Sequence, residues 1–367
     1  MTSHIRHYSG EPTLAQIRTG GRTEEKVEHP TLYLGDMPYI LTPDGRELPL
    51  GKQDEAFFEE LHDGDIVTIN RFGQVFKLYD ASSRDAAFYM TGQCNSNCIM
   101  CPESDQQRRF DEGIRSDWML EFVDMLPPEL EHAVITGGEP TLQTELFFRV
   151  LARLKEEKSN VETLILSNGR SFAAKSMVER LEACRPLYTT IAIPLHGHTA
   201  EVHDSITRTG GSFRQTCIAL LNLHEINIPI ELRVVVTKLN YRLLSDIARF
   251  IAERIPFAYV VNFVGLEVMG NCAKYRDTVY IDYADAFPYI KPAIEVLLKH
   301  GIDTSLYNYP LCAVDKGFWS ICRKSITPDK VRFADTCEGC DAKSICGGVF
   351  FSTFHVAKPK LSPISFS

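Results

Sequence analysis

Three cysteines fall within eight residues, as Cys94-Asn95-Ser96-Asn97-Cys98-Ile99-Met100-Cys101. Thiolates this close together can wrap one face of an iron–sulfur cubane, but they supply three ligands to a group that has four irons. One iron is left open for a chelating substrate or cofactor, by the logic that separates catalytic from structural zinc sites. A zinc site, or three cysteines with no common ligand, is the alternative left open by spacing alone. A second set lies near the C-terminus, where Cys337, Cys340 and Cys346 have metal-ligand spacing and Cys312 is near enough in sequence to add a fourth. Four thiolates fill a structural site. A tetrahedral zinc competes with an iron–sulfur cluster there, because the ligand spacings overlap.

Between these sets runs Thr136-Gly137-Gly138-Glu139-Pro140. Glycines let backbone approach a ligand closely, and a carboxylate accepts hydrogen bonds from an ammonium group. Ser167-Asn168-Gly169 and Pro194-Leu195-His196-Gly197 each end an apolar run with small or polar residues that could meet a ribose or carboxylate, and both also suit ordinary turns. His203, Asp204 and Arg208 read as surface polar residues. Cys184 and Cys217 read as core. Cys322, in an aromatic setting after Phe318-Trp319, reads as packing, and Cys272 reads as a buried loop cysteine that could face substrate.

The elements that must hold these groups have a regular order. Six short apolar runs, at 87–90, 133–136, 163–166, 191–193, 232–236 and 259–264, suit buried parallel strands. Helical-period segments at 118–126, 146–154, 177–181, 213–223, 243–251 and 287–298 alternate with them. Such β/α units predict an α/β fold with a parallel sheet curled into a partial barrel, its chemistry at the strand C-termini. Residues 1–85 read as a small β-rich unit with a hairpin near Asp65–Asn70 and Gly73–Leu78. Residues 86–300 read as the core and 301–367 as a cysteine-rich third unit whose tail, 356–363, is expected to be poorly ordered.

With 44% hydrophobic and 24% charged residues among 367, the chain is expected to be globular. A net charge of −9, with nothing more basic than pairs such as Arg108-Arg109, argues against a nucleic-acid partner. The opening residues Met1 to Arg6 lack a signal-peptide core and no apolar run is long enough to span a bilayer, so a cytoplasmic location without membrane contact is expected. The eleven cysteines then point to metal rather than to disulfides.

The three-then-two cysteine spacing resembles the signature of the radical S-adenosylmethionine (SAM) superfamily. The resemblance implies a catalytic [4Fe–4S] cluster on Cys94, Cys98 and Cys101, with SAM chelating the open iron and cleaved to a 5′-deoxyadenosyl radical. It also implies that Gly137, Gly138, Glu139 and Pro140 bind the methionyl amine and that Ser167 and Asn168 contact SAM. Met100 stands where the family usually has an aromatic residue, and a thioether can cover a cluster face similarly. The C-terminal segment resembles the SPASM or twitch extension of peptide maturases, which implies one auxiliary [4Fe–4S] cluster on Cys312, Cys337, Cys340 and Cys346. Cys-Ile-Met-Cys-Pro-Glu, Tyr309-Pro310-Leu311-Cys312 and Cys-Glu-Gly-Cys followed by Cys-Gly-Gly resemble the His-Xaa-Ser system maturases of the HxsC type. That family implies a ribosomally made peptide with His-Xaa-Ser repeats as substrate, a companion radical SAM maturase, and an electron donor such as flavodoxin or ferredoxin. Two rivals are a radical SAM enzyme acting on tRNA or a small metabolite, and a non-enzymatic zinc-binding scaffold.

Overall fold

The computed structural model describes residues 3–4, 13–19, 27–34, 38–49, 60–70, 74–106, 108 and 116–366. Gly35, Gly73, Arg109 and most of the Met1 to Arg6 stretch lie outside them. The N-terminal part forms a seven-stranded sheet from β1 (Ser3–His4), β2 (Thr13–Arg18), β3 (Thr31–Tyr33), β4 (Tyr39–Leu41), β5 (Glu47–Pro49), β6 (Ile66–Ile69) and β7 (Gln74–Tyr79), ordered β1-β7-β6-β2-β3-β4-β5. The expected hairpin is the antiparallel β6–β7 pair. Ala15, Ile17, Leu32, Ile40, Val67 and Val75 make its small core, while Leu14, Ile66 and Tyr79 join the main hydrophobic cluster of the chain.

The main sheet has eight parallel strands: β8 (Asp85–Tyr89), β9 (His132–Thr136), β10 (Glu162–Leu166), β11 (Thr189–Pro194), β12 (Ile230–Val235), β13 (Val260–Val264), β14 (Asp303–Tyr307) and β15 (Cys322–Arg323). They lie in sequence order with β8 and β15 as the two edges, so the barrel is open. The helices between them are α1 (Ser116–Met125), α2 (Thr144–Glu157), α3 (Lys175–Cys184), α4 (Ala200–Thr207), α5 (Ser212–Glu225), α6 (Leu244–Arg254), α7 (Gly270–Lys274), α8 (Arg276–Val279) and α9 (Tyr283–Lys299). A last helix, α10 (Phe351–Val356), follows a short β-ribbon of β16 (Val331–Arg332) and β17 (Val349–Phe350).

Alternation along each strand sends Phe88, Ile135, Ile165, Ile191, Leu232, Val234, Val261, Phe263 and Leu306 outward into the cluster shared with the helices. The six expected strands and six expected helices are present. The sheet also runs across the expected boundary at residue 300, because β14 pairs with β13 from Val260–Asp303 to Val264–Tyr307 and β15 pairs with β14. Among the described residues no helix is long and apolar enough to cross a membrane.

His203 and Asp204, expected at the surface, have structural roles. The Asp204 carboxylate accepts from Gly211 N, Phe213 N and Ser212 Oγ, each at 2.7 Å, and so caps the start of α5. His203 is buried, stacks on His196 with ring centroids 5.6 Å apart and accepts the His196 backbone N–H at 3.2 Å. Burial holds His203 down at about 4 and His196 at about 3. A histidine kept neutral when folded but protonated near pH 6.5 when unfolded adds stability that is complete above that value and is lost as pH falls toward the folded one. Melting curves should therefore show a loss between pH 7 and pH 5, of about 2 kcal/mol per histidine at pH 5. His203→Phe should be less stable at pH 7 and show a shallower slope.

Candidate functional site

The chain carries two groups of cysteines. The first is the loop after β8, where Cys94 bears on the protonation of Cys98 and Cys101, and Cys101 on that of Cys98. Burial pushes the Cys98 thiol up to about 12, with Cys101 and Cys94 adding to the rise and the Arg108 guanidinium opposing it. Three half-buried thiols beside one guanidinium form a donor set that releases its protons once a cationic metal group compensates them. This fits a cluster face. Among the described residues no three His, Cys, Asp or Glu side chains converge as ligands of a single ion. Cluster cysteines each take a different iron and need not converge in that way.

Backbone from three elements fixes this loop. Asn97 N donates to Thr207 O at 3.1 Å and Ile99 N to Ile206 O at 2.9 Å, which uses carbonyls left free at the end of α4. Cys272 N donates to Cys101 O at 3.0 Å, and Gly270 lies so close that an added Cβ would stand 2.1 Å from Pro102 O. Cys272 is thus buried against the cysteine loop, in the apolar cluster that also takes Met100, Ile206, Leu266 and Val268. Arg170 was not singled out from sequence, yet it donates to Asn95 O and, at 3.1 Å, to Ser96 Oγ. Its signal was a cation directly after the third-strand turn. Arg108 adds a bond to Ser96 O at 3.1 Å.

Gly137 and Gly138 end β9 against the backbone entering the same loop. Gly138 N donates to Thr91 O at 2.7 Å and Glu139 N to Gln93 O at 2.8 Å. A Cβ on Gly138 would stand 2.4 Å from Gln93 O and 2.5 Å from Gly92 O. Gly138→Ala should push the cysteine loop away and lower stability by about 1–3 kcal/mol, read from thermal melts.

Glu139 has partners within the protein. It is fully buried, and its Oε1 accepts from Thr141 N at 3.2 Å, Thr141 Oγ1 at 2.6 Å and Ser167 Oγ at 2.8 Å, while Oε2 accepts from Asn168 N at 2.7 Å. Three donors crowd Oε1 and one reaches Oε2. The side chain therefore ties the end of β9 to the turn after β10, and burial raises its pKa against the pull of those donors. Glu139→Gln puts an NH2 group against donors and should cost about 1–3 kcal/mol of stability, with any change in SAM affinity following from displaced loops. Beyond Glu139, Ser167 Oγ accepts from Gly169 N at 3.0 Å, and Asn168 Nδ2 donates to Asn95 Oδ1 at 2.6 Å and reaches Cys94 Sγ at 3.9 Å. Pro140 is buried at the start of a single helical turn, Pro140–Leu142.

The second group surrounds one small cavity of about 20 Å³ lined by Cys312, Cys337, Cys340 and Cys346 together with Pro310, Phe333, Leu361 and Ile364. Cys346 Sγ accepts from Leu311 N and Gly348 N, each at 3.4 Å, and Cys340 Sγ accepts from Ile364 N at 3.3 Å. Ser362 backbone donates to Cys312, whose thiol is pushed up by burial and by the neighbouring Cys346 and Cys337. N–H groups aimed at sulfur are what clustered thiolates require. Cys322 is absent from this lining. It packs against the main core, with its thiol toward Phe318 O at 3.7 Å. Cys184 and Cys217 are half-buried on α3 and α5, away from both groups.

The expectation of a poorly ordered tail is corrected here. Residues 361–364 close the pocket, Asp341 N donates to Ile364 O at 2.9 Å, and Phe366 N donates to Asp341 Oδ2 at 2.6 Å. The tail docks through backbone bonds and through Phe366 against Trp319, with ring centroids 6.1 Å apart, rather than through an apolar period.

Residues 88–251 match the model of the radical SAM superfamily. No curated protein matches the sequence. Among solved structures, Streptococcus suis SuiB bound to its precursor peptide SuiA is similar at 16% identity and a TM-score of 0.49, over 60% of this chain and 48% of that one. Native anSMEcpe with bound AdoMet and the Kp18Cys peptide is similar at 17% identity and a TM-score of 0.49, over 60% of this chain and 63% of that one. A radical SAM methyltransferase from Sphaerobacter thermophilus is similar at 14% identity and a TM-score of 0.45, over 76% and 74%. The chain thus spans about half the length of SuiB and under two-thirds of anSMEcpe. With its cysteine loop leaving the first strand of an open parallel barrel, the segment 88–251 is similar to the radical SAM superfamily domain, the domain type whose cofactors are a [4Fe–4S] cluster and S-adenosylmethionine.

Proposed function

We propose that this chain is a radical SAM enzyme that modifies a ribosomally made peptide, the substrate being a peptide with His-Xaa-Ser repeats. The observation that carries the reading is the pairing of two cysteine sets on one molecule: three on the loop after β8 and four around one cavity in the segment after β14. Three ligands leave a cluster position open, and four leave none. When bound, the first cluster with SAM supplies a 5′-deoxyadenosyl radical for hydrogen abstraction.

The residues of this chain do the holding and orienting. Cys94, Cys98 and Cys101 ligate the catalytic cluster, and Arg170, Arg108 and the α4 carbonyls fix their loop. Backbone of Gly137 to Pro140, with Ser167 and Asn168, lines the SAM site, and the buried Glu139 carboxylate keeps those two turns in register. Cys312, Cys337, Cys340 and Cys346 hold one auxiliary [4Fe–4S] cluster, shielded by the tail. A companion radical SAM maturase and an electron donor such as flavodoxin or ferredoxin complete the system.

The test is mass spectrometry of a His-Xaa-Ser peptide co-expressed with this protein and its companion maturase. A mass change that disappears in the Cys94, Cys98 and Cys101 triple variant supports the reading. An unchanged peptide, while the purified protein cleaves SAM reductively, removes the peptide substrate.

A further inference from the structure

The inner face of the barrel carries a polar stripe that neither cysteine set uses. Parallel register aligns Pro194, Arg233, Asn262 and Ser305 in one row across β11 to β14. The next row toward the strand C-termini runs Val235, Val264, Tyr307 and Arg323 across β12 to β15. Their sequence neighbours Leu232, Val234, Val261, Phe263 and Leu306 are buried against the helices, so alternation turns these two rows to the barrel interior.

The charges in this stripe do not cancel. Arg233 is matched, its Nε donating to Glu231 Oε1 at 2.5 Å. Arg323 has a hydroxyl instead: its Nε donates to Ser305 Oγ at 3.2 Å, and among the described residues no carboxylate forms an ion pair with it. Beside it, Tyr307 presents its ring to the Arg233 guanidinium at 5.7 Å. Asn262 is only 1% exposed, and although its side chain lies within reach of the Tyr307 hydroxyl, neither its amide oxygen nor its amide nitrogen makes a well-aligned hydrogen bond within the protein. A buried amide this poorly paired is costly and is retained where something else completes it.

A group that satisfies both Asn262 Nδ2 and Arg323 must accept from an amide and carry negative charge. A carboxylate does both, since a guanidinium fork and an amide N–H can share its two oxygens. A cationic side chain would face Arg323, and an apolar one would leave Asn262 unpaired. We propose that Asn262, Tyr307 and Arg323 form a recognition site for the carboxylate of an acidic side chain in the substrate peptide. This rests on the peptide reading above and names a feature of that peptide.

The test is equilibrium dialysis of anaerobically purified, cluster-reconstituted, SAM-saturated protein, so that SAM's own carboxylate is already placed. The labelled probes are N-acetylglutamate α-amide, its neutral analogue N-acetylglutamine α-amide, and N-acetylglycine as a chain-terminal carboxylate. The glutamate probe should bind best, and Arg323→Gln, at an exposed position that leaves the fold intact, should weaken it about tenfold. Asn262→Leu should weaken it similarly, with its melting curve checked. Equal binding of the glutamine probe, or unchanged binding by Arg323→Gln, overturns the site. Tighter binding of N-acetylglycine overturns the assignment to a side chain. Dialysis involves no turnover, so a protein that modifies peptide but fails here loses only this recognition site. One that binds the probe but never modifies peptide loses only the proposed activity.

Discussion

Replacing Cys94, Cys98 and Cys101 together by alanine will abolish 5′-deoxyadenosine formation and remove about half of the iron, leaving the auxiliary site loaded. The two cysteine sets lie on separate segments, one between β8 and α1 and the other between β14 and α10. Loss of the first set therefore has no direct route to the second. The loop itself keeps its backbone anchors, because Asn97 N to Thr207 O, Ile99 N to Ile206 O and Cys272 N to Cys101 O involve no thiol. Melting should thus change by no more than about 1–2 kcal/mol, while product formation falls to background. Iron and sulfide analysis, anaerobic activity and a melting curve read the three parts separately. Retained reductive cleavage would reject these cysteines as ligands of the catalytic cluster, and loss of all iron would show that the two sites are coupled.

The six central strands were legible because each carries an apolar face that must meet helices. Ile191, Leu232, Val234, Val261 and Phe263 could hardly be placed elsewhere. β14 was not legible for the complementary reason. Asp303-Thr304-Ser305-Leu306-Tyr307 is mostly polar, and it suits a strand only once Ser305 and Tyr307 are seen to face a barrel interior that admits polar groups. Of the candidate site, residue types and spacing gave both cysteine sets. They could not give the inward turn of Glu139, since a Gly-Gly-Glu-Pro segment reads the same whether its carboxylate meets a ligand or four protein donors. Nor could they place the tail: Lys358-Pro359-Lys360 looks like a chain end without a core, whereas its docking uses backbone N–H groups that any residue supplies.

Cys312→Ala will lower the iron content by as much as one cluster and loosen the C-terminal segment, whereas Cys322→Ala will keep its iron. The two cysteines are near neighbours in sequence, and Cys346 bears on the protonation of both, so proximity alone does not separate them. Their surroundings do. Cys312 lies in the single turn Leu311–Ala313, lines the pocket with Cys337, Cys340 and Cys346, and receives a backbone N–H from Ser362 of the tail. Cys322 sits on edge strand β15, where its thiol, pushed up to about 12 by burial, turns to Phe318 O and the main core. Removing a fourth thiolate would leave an iron of a bound cluster without protein ligation and take away the sulfur to which the Ser362 backbone of the tail bonds. This segment has few apolar residues of its own, so loss of the metal group is loss of folding energy for it. Truncation after residue 360 supplies an independent arm: with all four cysteines intact but the lid of Leu361, Ser362 and Ile364 gone, iron should load normally and be lost faster in air. Cys322→Ala should cost only packing, about 1 kcal/mol in a melt. Iron retained by Cys312→Ala and lost by Cys322→Ala would exchange their roles. Zinc persisting at this site after anaerobic reconstitution with iron and sulfide would replace the auxiliary cluster with a structural ion.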